Sequence, residues 1–410
     1  MRRVAITGIG VISPLGNSTG ALLENLAAAR SGICRLEAQQ YQRLANRIAA
    51  PAVFDPTTVA HPAKLRMMDR TTQFALDATR QALKQARLPL ADLDPSRAGV
   101  FLGTGMGGAQ STEEAYHTLY GEGADRLKPF SVLLAMNNAA ASWIGLEHGL
   151  TGPNLTFTTA CSSSAVAIGE ASLRIGSGAA DIMIAGGTEA PLWLGPMKAW
   201  EAIRTIAMED PRDPGASCKP FSKNRTGMVL GEGAAILLLE EWKAAEARGA
   251  VILAEMLGYG LATDASHLTH PSALGQARAM QLALGSAQID AGSVDYINAH
   301  GTGTPANDPV ETSAIKQVFG DRAKRIPISS TKSMHGHLLG AAGALEFAIA
   351  ILVMNAGIVP PTANLEQPDP ECDLDYVANE ARADSTIRAV MSNSFAFGGT
   401  SAVLIARRAG

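Results

Sequence analysis

The sequence predicts an α/β fold in which two halves share one plan. Short β-branched stretches alternate with longer stretches of helical periodicity, which is the pattern of α/β proteins. A glycine turn followed by an apolar strand also occurs twice, at 230–238 and at 397–405. Chance similarity of two such strands is the alternative to a true repeat. We predict two halves, 1–250 and 251–410.

The predicted elements follow from residue type and periodicity. Buried strands are predicted where β-branched and apolar residues cluster: Val4–Ile6, Gly99–Leu102, Asp181–Ile184, Ala235–Leu239, Tyr296–Asn298 and Val403–Ala406. Helices are predicted where apolar residues recur with the helical period: Thr71–Ala86, Asn138–Glu147, Ser162–Ile175, Glu311–Val318 and Ala341–Met354.

Composition limits the kind of protein. The chain has 410 residues, of which 47% are hydrophobic and 18% are charged, and its formal net charge is −4. The charged fraction lies below the soluble average of roughly 25%, as a large α/β core or a broad subunit interface would explain. Because the chain is slightly acidic, its overall charge gives no sign of nucleic-acid binding.

Three features bear on localisation. The apolar stretch 4–12 could pass for a signal peptide, but Gly8 and Gly10 interrupt it, so we expect a buried strand there. No apolar stretch approaches the roughly 20 residues of a membrane span, so we expect no membrane association. The cysteines show no disulfide-framework spacing and are expected to be reduced thiols of a cytoplasmic protein: Cys34, Cys161, Cys218 and Cys372.

Cys161 is the first candidate for chemistry. It stands between the β-rich stretch 155–159 and the helix predicted over Ser162–Ile175. The helix dipole and the unpaired backbone N–H groups at a helix N-terminus favour a thiolate and lower the pKa of the thiol. Because a thiolate is a nucleophile, this position suggests covalent catalysis. Taken by itself, the segment fits a buried structural cysteine better than a catalytic one.

His300 is the second candidate. It follows the strand predicted over Tyr296–Asn298 and is followed by Gly-Thr-Gly-Thr. The carboxyl ends of parallel strands face the ligand crevice, and a histidine there can exchange protons or donate hydrogen bonds near neutral pH. Thr302 and Thr304 add hydroxyl groups to the same loop. A histidine that only caps the loop is the alternative.

A third segment brings a lysine and two histidines to a helix start. Lys332, His335 and His337 precede a stretch rich in small residues, and Glu346 follows within that apolar stretch. A buried carboxylate needs a partner, and we expect Lys332 to be that partner. Metal binding by the two histidines is the competing interpretation, but no matching cluster of further ligands is apparent, and we expect no metal.

Two glycine-rich segments complete the candidates. Phe397 precedes Gly398 and Gly399, so it is either a mobile aromatic on a flexible loop or a core aromatic before a turn. The segment 103–108 has the GxGxxG spacing of dinucleotide-binding loops. No helix with an acidic residue about 20 positions further on completes that unit, so we expect no dinucleotide cofactor.

Together these segments resemble the β-ketoacyl-acyl-carrier-protein synthases, in particular the elongating type I and type II enzymes of the thiolase superfamily. The similarity spans nearly the whole chain, and its most specific part is the order Cys161, His300-Gly-Thr, Lys332 and Gly-His337. It implies a five-layered αβαβα thiolase-like fold with two pseudo-duplicated halves. The implied activity is that of a 3-oxoacyl-[acyl-carrier-protein] synthase, which elongates a fatty acid or polyketide/polyene chain by decarboxylative Claisen condensation.

The resemblance implies a catalytic role for four residues and a structural role for Glu346. Cys161 would be the acylated nucleophile. His300 and His337 would assist the decarboxylation of malonyl-acyl-carrier protein. Lys332 would lie beside the histidines and would be tied to Glu346.

The resemblance also implies binding roles. The backbone N–H groups of Cys161 and Phe397 would form the oxyanion hole, and the Phe397 side chain would gate the acyl pocket. Thr302 and Thr304 would bind the pantetheine arm. Met106 would lie along the acyl channel.

The implied partner is the acyl carrier protein, which delivers its substrates on phosphopantetheine, and no metal or redox cofactor is implied. A homodimer is implied, with a heterodimer with a paralogue as the alternative. Since carrier proteins are acidic, a basic docking patch is expected, against ordinary surface charge as the alternative. Its candidate residues form two clusters: Lys64, Arg66 and Arg70 in one, and Arg126 and Lys128 in the other.

Three departures from the family pattern leave the acyl substrate open. Ser162 and Ser163 follow the cysteine where Ala-Thr is common, and Ala396 stands where the gating loop usually has glycine. His335 replaces a small polar residue, so it could compete with His337 as the reactive histidine. We expect these changes to affect substrate choice and to leave the reaction class intact.

Two other classes share this fold. A chain-length-factor-like partner subunit would resemble the family but would lack the nucleophile, whereas Cys161 is present here. A thiolase would use a second cysteine near the C-terminus, whereas Cys372 lies outside any glycine motif. Both are less consistent with the sequence than a condensing enzyme.

Overall fold

A computed structural model describes residues 1–90, 93–383 and 386–410. The strands are β1 Val4–Ile12, β2 Cys34–Arg35, β3 Ile48–Ala49, β4 Ala98–Gly103, β5 Asn154–Phe157, β6 Ile182–Glu189, β7 Gly233–Glu241, β8 Ala254–Thr263, β9 Tyr296–Asn298, β10 Ile328–Ser329, β11 Ala389–Phe395 and β12 Thr400–Arg407.

The α-helices follow the same chain order. They are α1 Thr19–Ala27, α2 Pro62–Leu65, α3 Arg70–Ala86, α4 Ala109–Tyr116, α5 Ser131–Ala135, α6 Ala139–His148, α7 Ser163–Gly176, α8 Leu194–Ala202, α9 Trp242–Ala247, α10 Ala273–Ala287, α11 Asn307–Phe319, α12 Lys332–His335 and α13 Ala342–Ala356.

The main sheet consists of two halves with the same topology. Its strand order is β10-β9-β11-β12-β8-β1-β7-β6-β4-β5. In each half, a central strand pairs in parallel with two neighbours: β4 with β5 and β6, and β9 with β10 and β11. Each half continues with two antiparallel pairings: β6 with β7 and β7 with β1 in the first half, and β11 with β12 and β12 with β8 in the second. The halves join where β1 pairs with β8. The repeated glycine-strand segments form β7 and β12, which are equivalent strands, as the repeat predicts.

The helices complete a five-layered αβαβα arrangement. Helices α7 and α13 pack against each other and form the middle layer, whose core includes residues of both halves of the sheet. Helices α3 and α6 cover the outer face of the first half, and α10 and α11 cover the outer face of the second. The thiolase-like architecture implied by the sequence is therefore present.

The sequence-based statement that no apolar stretch approaches the length of a membrane span is wrong for the segment that contains α13. The span Leu339–Ala356 has a mean hydropathy of 1.8 and is long enough to cross a membrane, and 83% of it is buried inside the protein. A helix that packs against protein on every side is apolar all round, so its composition reaches that of a membrane span. The middle layer accounts for this apolar stretch.

The interrupting glycines allow outer helices to lie close to the sheet. A Cβ atom on Gly10 would lie 1.8 Å from the carbonyl oxygen of Ala78 in α3. In the second half, a Cβ atom on Gly260 would lie 2.1 Å from the carbonyl oxygen of Ala279 in α10. Both contacts exclude a side chain, so glycine is required in β1 and β8 for close packing.

Candidate active site

Cys161 lies at a strand-to-helix turn, as the sequence predicts. Strand β5 ends at Phe157, Ala160 has a φ of 50°, and a short 3₁₀ turn carries Cys161 into α7. The Ser163 hydroxyl donates to the Ala160 carbonyl at 2.6 Å and accepts from the Thr159 N–H at 2.9 Å. These local bonds hold Ala160 in a left-handed conformation that is rare outside glycine.

Close packing fixes the first turn of α7. A Cβ atom on Gly103 would lie 2.2 Å from the backbone nitrogen of Ser164, and one on Gly187 would lie 2.5 Å from the Ser164 Cβ. The Ser164 hydroxyl accepts from the Ala344 N–H of α13 at 2.8 Å. Cys161 therefore stands on a rigid support that includes both central helices.

His300 is held by a carboxylate that the sequence analysis missed. Glu311 on α11 accepts the backbone N–H groups of His300 at 2.8 Å and Gly301 at 2.7 Å. Asp308, on the same helix, accepts the N–H groups of Phe221 at 2.8 Å and Gly303 at 3.3 Å. Both carboxylates are fully buried. Two acidic residues in a buried helix directly after His-Gly-Thr were the signal that could have revealed them.

The predicted catalytic groups converge. The sulfur of Cys161 and one ring nitrogen each of His300 and His337 lie within 4.8 Å of one another. The two imidazole rings are nearly perpendicular, at 84°, with centroids 5.4 Å apart. Lys332 Nζ donates to the His300 carbonyl at 2.6 Å and forms an ion pair with Glu346. All five side chains are buried.

Hydrogen bonding determines the form of the two imidazoles. Nδ1 of His337 accepts the Leu339 N–H at 3.0 Å, so the ring proton is on Nε2. Nδ1 of His300 lies 3.4 Å from the Lys332 ammonium, which places that ring proton on Nε2 as well. Burial, with a further contribution from Lys332, holds the pKa of both histidines well below 6.5. Both are therefore neutral N–H donors at pH 7.

His335 does not compete with His337. Its Nδ1 lies 2.7 Å from the Gly336 carbonyl, and its Nε2 lies 2.9 Å from the Thr331 hydroxyl, so both ring nitrogens are occupied. Burial lowers the pKa of His335 to about 3. The side chain is a neutral structural group that holds the turn after α12.

The pKa of Cys161 differs from the expectation based on its helix position. Burial raises the pKa of the thiol to about 11, and the positive charge of Lys332 and the N–H donated by Phe397 act in the opposite direction. Desolvation therefore outweighs the stabilisation of the thiolate. Burial likewise raises the pKa of Glu346 to about 7, while Lys332 lowers it.

The thiol and the two imidazoles also form a set of donors that could contact a soft metal ion. The geometry permits this, because the three donor atoms lie within 4.8 Å of one another. The Lys332 ammonium, 3.4 Å from His300 Nδ1, would repel a cation at the same place. The cluster suits an anion or a developing negative charge better than a metal.

A cavity of about 410 Å³ leads to Cys161. The cavity wall also includes His300, His337, Thr302, Thr304 and Phe397. The two threonine hydroxyls lie 2.9 Å apart. The cavity thus brings together the predicted nucleophile, histidines and binding residues.

Phe397 and Met106, which the resemblance places along the acyl pocket, both pack near Trp200. The Phe397 ring stacks on Trp200 of α8, with centroids 6.0 Å apart. Met106 is not part of the cavity wall and packs in an apolar cluster with Trp200 and Leu339. Its place along an acyl channel remains a prediction.

The GxGxxG segment binds a carboxylate of the protein itself. Glu189, at the end of β6, accepts the N–H groups of Gly105 at 2.6 Å, Met106 at 2.9 Å and Gly340 at 2.9 Å. Glu189 is buried, and burial raises its pKa to about 7. The backbone donors that would bind a phosphate are therefore occupied, and Glu189 ties this loop to the start of α13.

The proposed docking residues divide into two groups. Arg70 forms a 2.6 Å ion pair with the buried Glu232, and Lys64 forms an ion pair with Glu147. Their charges serve the fold, so Arg70 in particular does not fit a docking role. The other three, Arg66, Arg126 and Lys128, are exposed. Arg66 and Lys128 share the wall of a second cavity of about 460 Å³.

Known proteins are similar to this chain over its whole length. Residues 1–245 match the model of the β-ketoacyl synthase N-terminal domain, and residues 253–366 match that of the β-ketoacyl synthase C-terminal domain. Nodulation protein E of Rhizobium meliloti (strain 1021) is 44% identical over 98% of both chains. The 3-oxoacyl-[acyl-carrier-protein] synthase 2 of Coxiella burnetii is 43% identical over 99% of both chains. The solved ishigamide ketosynthase/chain length factor superposes with a TM-score of 0.94 and 35% identity over 100% of both chains.

The raised pKa of Cys161 gives a test by alkylation. We expect the rate of Cys161 modification by iodoacetamide to keep rising above about pH 9, where a free thiol levels off, because only the thiolate reacts. Lys332→Met should slow the reaction at each pH, because it removes the positive charge that favours the thiolate. Mass spectrometry of the Cys161 peptide measures both rates, and Cys34→Ser is the control. A rate that is already constant below about pH 8 would show that the helix N-terminus outweighs burial.

Proposed function

The chain belongs to the β-ketoacyl synthase family and catalyses chain-elongating condensation that depends on acyl carrier protein, and we propose that Cys161 carries the growing acyl group. The observation that supports this assignment best is the short separation between one thiol and two imidazoles that are both N–H donors. The cavity that reaches them admits a substrate from the surface.

The first step transfers an acyl group to Cys161. The sulfur attacks the thioester carbonyl, the carrier thiol leaves, and the proton of Cys161 ends on that leaving thiol. The backbone N–H of Phe397, which donates to the sulfur at rest, and that of Cys161 stabilise the oxyanion of the tetrahedral intermediate. Loss of one such donor typically costs about 10²–10³ in rate.

The second step forms the carbon–carbon bond. Malonyl thioester loses CO₂, and the resulting enolate oxygen receives hydrogen bonds from Nε2–H of His300 and His337. The enolate carbon attacks the acyl carbonyl on Cys161, the sulfur leaves as a thiolate, and the thiolate takes up one proton from solvent. Neutral imidazoles suit this role, because a donor that keeps its proton stabilises the enolate without protonating the nucleophilic carbon.

Lys332 and the threonines support these steps. The Lys332 charge favours both the Cys161 thiolate and the enolate, and the Glu346 carboxylate offsets that charge in the buried site. Thr302 and Thr304 bind the pantetheine arm in the cavity. In this proposal no metal or redox cofactor takes part.

The chain elongates a fatty acid or polyketide/polyene substrate, and the alternative of a non-catalytic chain-length factor is not favoured. Cys161, His300 and His337 are all present and face one cavity. Ala396 limits the backbone freedom of the Phe397 loop compared with glycine. We expect this loop to contribute to the choice of acyl group in a cytoplasmic enzyme.

The catalytic assignment is tested by Cys161→Gln. The variant cannot hold an acyl group, so we expect loss of condensation below detection. It should keep or gain malonyl decarboxylation, because His300 and His337 can still donate hydrogen bonds to the thioester oxygen. Release of CO₂ and formation of 3-oxoacyl product are measured separately, with Cys34→Ser as the control. Condensation by Cys161→Gln would refute the role of the nucleophile.

Carrier-protein docking is tested by Arg66→Glu. We expect KM for the acyl-carrier-protein substrate to rise severalfold at low salt with kcat little changed, since a rim charge acts on association. The difference should shrink at high salt and vanish with a pantetheine thioester, which has no carrier protein. Arg70→Glu should instead lower the melting temperature, because it faces the buried Glu232. An unchanged KM for Arg66→Glu would exclude this residue from docking.

We propose a homodimer that forms through the edge strand β5 and the helices beside it. β5 pairs with β4 and lies at the end of the sheet, and α4, α5 and α6 pack nearby. These elements and the adjoining loops expose large apolar side chains: Tyr116, Tyr120, Phe130, Val132, Leu133, Leu146 and Leu155. Exposed apolar surface of this kind marks an interface.

Sedimentation of the chain purified alone tests the homodimer. We expect a dimer for the wild type and a monomer for Leu155→Lys, because the lysine places two like charges at the paired edge. Leu274→Lys, an exposed position on α10, is the control and should stay dimeric. A monomeric wild type would favour the alternative, a heterodimer with a paralogue.

A further inference from the structure

Gln276 combines burial with an unused hydrogen-bond acceptor. It lies on α10, it is 1% exposed, and it forms part of the wall of the cavity that leads to Cys161. Its Oε1 atom has no hydrogen-bond partner among the residues that the structure describes. His337 Nε2, in the same wall, is also without a partner in the described chain. A buried acceptor without a donor is unfavourable, so the donor to Oε1 has to come from a molecule in the cavity, either a ligand or water.

The amide of Gln276 is oriented by a chain of hydrogen bonds that ends in two carboxylates. Asn307 Nδ2 lies 3.3 Å from Asp308 Oδ1 and 3.3 Å from Glu311 Oε2. Because carboxylates accept, Asn307 must present its NH₂ group to them and its Oδ1 to the other side. Gln276 Nε2 donates to that Oδ1 at 3.3 Å. The Gln276 amide is therefore fixed with Oε1 as its free end.

The two threonines supply the opposite polarity. Thr304 Oγ1 accepts the Asn307 N–H at 3.1 Å and lies 2.9 Å from Thr302 Oγ1. One of the two hydroxyl hydrogens is used between the threonines, and the other is left for the cavity. The wall of the cavity thus includes one hydroxyl donor and one amide acceptor. A secondary amide has the complementary groups, a carbonyl oxygen and an N–H.

We infer that Gln276 accepts the N–H of an amide of the pantetheine arm while the threonine pair donates to the arm. This inference rests on the proposed function, because it concerns the substrate of that same cavity. Gln276 acts here as a positioning residue. Glu311 accepts hydrogen bonds from the His300 backbone N–H and from Asn307 Nδ2. The same carboxylate therefore positions His300 directly and Gln276 through Asn307. Correct seating of the arm and placement of the catalytic imidazole then depend on one carboxylate.

The test combines an enzyme variant with substrate analogues. Gln276→Met keeps the shape of the side chain and removes the acceptor. Because the arm has two amides, each is replaced in turn by an ester, which removes one N–H. Initial rates with the malonyl thioesters of pantetheine and of the two ester analogues give KM and kcat for every pair. Gln281→Met, at an exposed position of α10, is the matched control.

We expect Gln276→Met to raise KM for the pantetheine thioester about fivefold with kcat nearly unchanged, as for loss of one hydrogen bond that contributes equally to ground and transition states. One ester analogue should cost the wild type the same factor and should cost Gln276→Met nothing further. Equal losses for wild type and variant with both analogues would overturn the inference. So would an unchanged KM, which would leave water as the partner of Oε1.

Two controls separate this result from other failures. A wild type that does not condense substrates supplied on acyl carrier protein would refute the proposed function, whereas a wild type that is active without the expected coupling refutes only the role of Gln276. The melting temperature and the rate of Cys161 alkylation report whether the variant is folded. If Gln276→Met does not fold, Gln276→Ala suits a helix interior and should show the same loss of coupling.

Discussion

The Lys332 ammonium is the charge on which the state of the site depends. It is buried beside the candidate catalytic groups and is paired with Glu346. It places the proton of His300 on Nε2, adds to the effect of burial that lowers the pKa of His300 and His337, and opposes the rise in the pKa of Cys161. A buried charge would be costly without a partner, and Glu346 is the partner that compensates the Lys332 charge. The site is thus prepared for negative charge on sulfur and on oxygen.

Buried carboxylates hold the loops that surround this charge. Glu189 accepts three backbone N–H groups from the 105–106 loop and Gly340, and Glu311 accepts those of His300 and Gly301. Each carboxylate fixes loop backbone through several hydrogen bonds to a charged acceptor. The loop that carries His300 therefore combines exposure to the cavity with a defined position, which catalysis requires.

The sequence predicts the side chains proposed to react better than the buried carboxylates that position their loops. Cys161, His300 and His337 stand beside glycine turns at strand ends, where local pattern is informative. Glu189 and Glu311 act on backbone atoms of distant loops, and a single sequence shows neither contact. Strand β8 escaped prediction because its two glycines interrupt the apolar pattern, although close packing of α10 requires them. The pKa of Cys161 depends on total burial, which the local helix position does not reveal.

The duplicated topology explains why these groups meet. Helices α7 and α13 follow the equivalent strands β5 and β10 and pack against each other in the middle layer. Their N-terminal ends therefore lie together at the carboxyl ends of the parallel strands of both halves. The first half contributes Cys161 at the start of α7, and the second contributes Lys332 and His337 just before α13. Because neither half holds both the proposed nucleophile and the proposed hydrogen-bond donors, the proposed mechanism requires the packing of the two halves.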